Sequence, residues 1–259
     1  MDVLRKELTG IYAAQCLDDE ALDSAVAARC REALLTCAGT DGDCRVLTDA
    51  SADLCTVVGG RFAYLIGLSD SAESNYCRDF SSSDEDEIYN RIHPEDLVDK
   101  RMLEYEFFKF VDPLPGGEKL RYKATCNFRI KDRNGRYIRV DNSTQILRTS
   151  PRGKIWLILC CYDLSSDQSD AEGISPRILN NATGEVIREI LADCRANILT
   201  DREKEVLRLI RDGYASKRIA DELGISIHTV NRHRQNILEK LSVGNSIEAV
   251  RAALAMKLL

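Results

Sequence analysis

A run of side chains able to bind an anion lies near the end of the chain, in ISIHTVNRHRQNILEKL, residues 225–241. Arg232, His233, Arg234 and Lys240 stand there against Glu239 alone. At about 100° per residue, Val230, Ile237 and Leu241 fall within one narrow arc and form the stripe that faces a core. His228, Asn231, Arg232, Gln235 and Glu239 occupy the opposite arc. Asn231, Arg232 and Gln235 carry the donors and acceptors that match base edges in the major groove, so they are the candidate base contacts. Lys217 and Thr229 sit near helix N-termini and Lys240 lies on the flank, positions suited to phosphate oxygens. Arg234 falls on the apolar side, where its stem packs along the domain surface.

Other chemistry is not supported. No P-loop, G-x-S-x-G or H-E-x-x-H pattern occurs, so no catalytic residue is assigned and the chain is not read as an enzyme. The ten cysteines contain no C-x-x-C pair, and Cys160-Cys161 would point to opposite faces of a strand. They read as reduced, small hydrophobes, with no metal site and no cofactor expected.

A basic segment on a chain of formal net charge −6 poses a conflict that the charge distribution resolves. Residues 199–259 carry 11 Lys and Arg against 8 Asp and Glu, a net +3, while residues 1–198 carry 25 against 34, a net −9. The basic helix therefore belongs to a separate basic domain. A length of 259 residues, 30% charged and 44% hydrophobic, suits two soluble domains. No apolar run is long enough to span a membrane and MDVLRKELTGIYAAQC has no apolar h-region, so a cytoplasmic location is expected.

The elements that must position this helix are marked by local punctuation. Leu4, Leu8 and Ile11, then Leu22, Val26, Cys30, Ala33 and Cys37, predict helix over 2–37 with a break near Leu17-Asp18-Asp19. GTDGD (39–43) reads as a turn, CRVLTD and LCTVVG as short strands, and RFAYLIGL (61–68) as a short helix. His93-Pro94 opens a helix that runs to about Phe110. In LRYKATCNFRIKD, Tyr122, Ala124, Cys126, Phe128 and Ile130 alternate with polar residues, predicting a half-buried strand. Asn134-Gly135 supplies a hairpin turn to RYIRVDNSTQIL, and KIWLILCCYDL completes an antiparallel meander. Residues 165–184 read as linker, and Val186, Ile190, Leu191, Cys194 and Ile198 as a helical stripe.

From Leu199 the helix signals are dense. Thr200 with Glu203 forms a capping box, Gly213 ends the first helix, Ser216 caps a second, Gly224 turns the chain and Ser226 caps a third. Asn245 with Glu248 fits a box for a fourth. Helix, tight glycine turn, helix is the helix-turn-helix arrangement, whose second helix enters the major groove. LTDREKEVLRLIRDGYASKRIADELGISIHTVNRHRQNILEKLSVGNSIEAV resembles the LuxR/GerE-type DNA-binding domain. The matching positions include Thr200, Glu203, Gly213, Lys217, Ile219, Ala220, Ile225, Ser226, Thr229, Val230, His233, Ile237, Lys240 and Leu241. The resemblance implies double-stranded DNA as partner, favours Lys217 and Lys240 as phosphate contacts, and implies packing for His233. It also implies a homodimer through the last helix, where Ile247, Val250 and Leu254 lie on one side. An isolated stripe fits a plain core role as well.

Residues 41–165 resemble a PAS domain in element order: short strands, small helices, the segment HPEDL (93–97), then a three-stranded antiparallel run. The hairpin meander argues against a phosphoacceptor receiver, and in PAS proteins the HPEDL-like segment is a structural turn, so His93 is not read as a haem ligand. The expected fold class is α+β: a PAS-like antiparallel sheet with flanking helices, then an all-α four-helix LuxR-type helix-turn-helix domain. The expected division is an N-terminal helical segment (1–40), a PAS-like sensor or dimerisation domain (41–165), a linker and connecting helix (166–198) and the DNA-binding domain (199–259). Together these imply a dimeric, cytoplasmic transcriptional regulator whose front domain binds a small molecule or a partner. The competing reading is a signalling adaptor in which that domain serves protein interaction only.

Overall fold

A computed structural model describes residues 8, 10–73, 75–81, 85–189, 199–241, 243–255 and 258–259. The described residues fall into two compact units, one within residues 8–189 and one within residues 199–259. Among the described residues no helix is long and apolar enough to cross a membrane.

The first unit is built on one eight-stranded sheet. Its elements are helix α1 (Ser24–Asp41), strands β1 (Cys44–Asp49) and β2 (Leu54–Gly59), helix α2 (Arg61–Leu65), strand β3 (Tyr76–Phe80) and helices α3 (Asp86–Tyr89), α4 (Pro94–Val111) and α5 (Gly116–Lys119). Strands β4 (Tyr122–Lys131), β5 (Tyr137–Thr149), β6 (Ile155–Leu164), β7 (Arg177–Asn180) and β8 (Val186–Glu189) follow. The strand order is β3-β2-β1-β6-β5-β4-β7-β8, and every neighbouring pair is antiparallel.

The alternation in β4 sets which face is covered. Ala124, Cys126, Phe128 and Ile130 are buried, and the register Cys126↔Asn142↔Tyr162 carries that inner face across β5 and β6. Helix α4 packs on β4 with Met102, Leu103, Phe107, Phe108 and Val111 buried. The other face of β1, β2 and β6 is covered by α1, where Leu34 and Ala38 meet Leu47, Val58, Trp156, Leu157 and Leu159. Covered on both faces, β6 is buried along most of its length, as its unbroken apolar run predicts. Gly135, at φ +80°, closes the β4–β5 hairpin, its N–H donating to the Asp132 carbonyl at 3.0 Å; that backbone region favours glycine.

Four expectations are corrected. Helix α1 starts at Ser24 and continues through residues 39–41, read as a turn, until Gly42 stops it at φ +82°. Residues 166–198 are not simply linker and connecting helix, because β7 pairs with β4 and β8 pairs with β7. The stripe that began at Val186 is strand over Val186–Glu189, and Ile190, Leu191, Cys194 and Ile198 lie outside the described residues. The physical reason is the open edge of β4, whose backbone N–H and C=O groups need partners that a distant segment supplies. In the second unit Ala215, not Ser216, is the N-cap of its helix, and no side chain caps it.

Candidate functional site

The second unit consists of helices α6 (Asp201–Arg211), α7 (Ser216–Leu223), α8 (Ile227–Leu241) and α9 (Ser246–Ala255). The Glu203 N–H donates to Thr200 Oγ1 at 3.2 Å and the Thr200 N–H to Glu203 Oε2 at 2.8 Å, a complete capping box. Gly213 and Gly224 adopt φ +83° and +63°, ending α6 and α7 in the left-handed conformation that suits glycine. Ser226 Oγ accepts from the Thr229 N–H at 3.0 Å and starts α8. Asn245 Oδ1 caps α9, accepting from Ile247 and Glu248 N–H. Glu248 turns back to the Gly244 N–H at 2.8 Å rather than to Asn245. Val206, Leu207, Ile219, Ala220, Val230, Ile237, Ala249 and Ala253 make the core.

That core orients α8. Val230 and Ile237 point inward, Leu241 is half-buried, and Asn231, Arg232, Gln235, Glu239 and His228 are exposed. Gln235 makes one long contact with Glu239, at 3.4 Å. Among the described residues, no hydrogen bond or ion pair ties the Asn231 or Arg232 side chain to the protein. The three candidate base contacts therefore share one open face. Arg234 is anchored instead, donating to Ser246 Oγ at 2.8 Å and Ser216 Oγ at 3.4 Å. It thereby joins α7, α8 and α9. Half-buried His233 lies at the core edge, with its Nδ1 buried and unpartnered.

The candidate phosphate contacts are not equivalent. Lys217 is exposed at the start of α7. Thr229 is half-buried, its hydroxyl 2.8 Å from Ser226 Oγ. Lys240 Nζ donates to Glu203 Oε2 at 2.7 Å, tying the end of α8 to the start of α6. Burial works against the Glu203 carboxylate, but hydrogen bonds from Lys240 and Thr200 prevail and hold it below its ordinary pKa. On α9, Ile247 is 70% and Leu254 49% exposed, with Val250 half-buried. The small Ala249 and Ala253 face the core beside them.

The first unit contains a polar cluster that the sequence reading missed. Lys100, fully buried on α4, donates to Glu104 Oε1 at 2.5 Å and to the Tyr89 hydroxyl at 3.0 Å. Its ammonium lies 4.5, 5.8 and 5.9 Å from the ring centres of Tyr89, Tyr162 and Phe128. Tyr89 donates to the same Glu104 oxygen, Tyr162 donates to buried Glu85, and Glu104 Oε2 has no partner. The signal was present in α4: Lys100 and Glu104, one helical turn apart, interrupt the apolar face that Leu103, Phe107 and Val111 continue.

Burial pushes the Glu85 carboxyl up, and Lys100 opposes that shift without reversing it. A carboxyl raised on folding stabilises in full below its ordinary value of 4.5, and that contribution is lost as pH rises through the folded value. Glu85→Gln should therefore lose less thermal stability than the parent as pH rises above 4.5. The single tryptophan, Trp156 in β6, reports this unit by fluorescence. Asp43, pushed to about 6 by burial and by Asp163 and Asp41, acts in the same direction in both proteins. Parallel pH profiles would rule the assignment out.

Comparison with known proteins places the second unit. Residues 197–253 match the family of bacterial regulatory proteins, luxR family, and form a GerE/LuxR-type helix-turn-helix domain. The transcriptional regulatory protein DesR of Bacillus subtilis is 43% identical over 91 residues, 34% of this chain and 46% of DesR. UhpA of Escherichia coli, also a transcriptional regulatory protein, is 48% identical over 61 residues, 24% of this chain and 31% of UhpA. The chain thus covers less than half the length of these relatives. A structure of the Vibrio cholerae VqmA dimer aligns over 88% of each chain at 17% identity with a TM-score of 0.32, too low to bear on the fold.

Proposed function

We propose that the chain is a sequence-specific DNA-binding transcriptional regulator that acts as a homodimer in the cytoplasm. The observation that carries this reading is the open face of α8, where Asn231, Arg232 and Gln235 are exposed and directed away from the core. Those groups have base-edge chemistry, and they sit on the second helix of a helix-turn-helix pair. Lys217 approaches the phosphate backbone. Thr229 and Lys240 share that role at the edges of α8, Lys240 only by exchanging Glu203 for a phosphate. Ile247, Val250 and Leu254 form the contact between two copies, since an exposed apolar stripe on a small domain costs solubility unless something covers it.

The first unit, in this reading, is a PAS-like sensor. Support comes from its element order, with His93 capping α4 ahead of the β4–β5–β6 meander. The unpartnered Glu104 Oε2 gives its interior an unmet acceptor, which favours a small-molecule role over pure dimerisation.

Binding to a DNA site selected in vitro tests the reading. Affinity should fall on the order of 10³-fold between about 50 and 200 mM salt if the dimer neutralises six or more phosphates. Ile247→Asp with Leu254→Asp should abolish the dimer band while leaving the fold intact. Binding to a protein partner with no selected DNA would favour the adaptor reading instead.

A further inference from the structure

The acidic first unit carries a cluster of cations that the carboxylates beside it neutralise only in part. Arg78, Arg91, Lys131 and Arg133 border a cleft of about 710 Å³ between α2, α3 and the β4–β5 turn. Its two carboxylates are already engaged. Glu87 pairs with Arg78 at 2.9 Å and accepts from the Tyr76 hydroxyl at 3.3 Å. Asp132, buried, accepts from the Asn134 and Arg136 N–H groups and pairs with the Arg136 guanidinium at 3.1 Å. Among the described residues Arg91, Lys131 and Arg133 have no carboxylate partner. In a segment with net charge −9, such a gathering of positive charge runs against the local background.

Each of the two guanidinium groups is held on one side and open on the other. Arg91 donates to the Gly67 carbonyl at 3.1 Å, and its Nε is buried without a partner. The Arg133 guanidinium lies 3.9 Å from the centre of the Tyr64 ring, while its own N–H is fixed to the Leu65 carbonyl at 2.8 Å. Anchoring of this kind lowers the side-chain entropy lost on binding. Planar guanidinium forks pair with phosphate oxygens, and Lys131 adds a point charge. The volume exceeds that of one phosphate group and falls within the range of small-ligand sites.

We infer that this cleft binds a small anion bearing two or more phosphates, held by Arg91, Lys131 and Arg133. The inference is independent of the DNA-binding reading, because its residues belong to the other unit. The test titrates the full chain with inorganic pyrophosphate and with ADP by calorimetry, at fixed ionic strength. Saturable binding of one ligand per chain is expected with both ligands. Arg133→Gln should weaken both about tenfold or more, the loss expected for one charge-assisted contact, and Lys131→Gln severalfold. Both side chains are exposed, so these variants keep the test valid if Arg91→Gln fails to fold. No saturable binding at about 10 mM ligand, a millimolar limit beyond weak specific sites, would overturn the inference. So would binding unchanged in Arg133→Gln and Lys131→Gln, or binding lost on Arg232→Ala, which would place the anion on the helix-turn-helix unit.

Discussion

Lys100→Met is expected to destabilise the first unit by about 3–5 kcal/mol, the usual effect of leaving a buried charge without its partner. Burial alone would lower the pKa of this fully buried ammonium, but Glu104 and Glu85 overturn that and keep it protonated. Removing it strands the Glu104 carboxylate, only 5% exposed, beside the hydroxyl of Tyr89 and among aromatic rings. Against a typical domain stability of about 5–15 kcal/mol, that loss should move the urea midpoint far enough to measure through Trp156. Lys100→Met combined with Glu104→Leu should recover most of it, because replacing both members of a buried pair by apolar groups is often neutral or better. A single variant as stable as the parent, or a double variant worse than the single, would show that the pair is not a closed ionic unit.

The second large effect concerns which residues read the DNA. Arg232→Ala or Gln235→Ala should cost about 1–3 kcal/mol on the preferred site and relax choice at one base position. Lys217→Ala should weaken binding to all sequences alike and reduce the salt slope by about 1. Lys240→Ala is a mixed case, because the same ammonium secures Glu203 in the capping box at 2.7 Å. Its variant should lower the stability of the second unit as well as its affinity, and Glu203→Gln should reproduce only the first effect. Binding data on a site panel at two salt concentrations separate the classes. Equal, sequence-independent losses from Arg232→Ala and Lys217→Ala would overturn the assignment of roles on α8.

Much of the local architecture was legible from residue types and spacing alone. The capping box at Thr200–Glu203, the stops at Gly213 and Gly224, both short strands at 44–49 and 54–59, the start of α4 at Pro94 and the turn at Asn134-Gly135 all appear where their signals stand. These features depend on contacts between residues a few positions apart, so the sequence window contains both partners. The inward direction of Val230 and Ile237 was readable for the same reason, since helical period alone fixes it. The alternation in β4 equally predicted its buried face.

Features that join distant segments were not legible. Residues 165–184 looked polar and linker-like and Val186 looked like the start of a helical stripe, yet Arg177–Asn180 and Val186–Glu189 extend the sheet, because the edge of β4 satisfies backbone groups that local composition does not describe. The spacing of Ile247, Val250 and Leu254 suited a dimer contact and a core stripe alike, and only the packing of Ala249 and Ala253 left Ile247 and Leu254 exposed. Lys240 read as a phosphate contact on the helix flank, and only the fold shows Glu203, 37 positions earlier, beside it. Lys100 and Glu104 are close in sequence, but their burial depends on Tyr162 and Phe128 from the sheet. The sequence by itself therefore determined the helix-turn-helix domain and the open face of its second helix, because period and caps are local. Tertiary structure decided which charges are buried, paired or left open, because a charge's environment is set by whichever distant residues the fold brings against it.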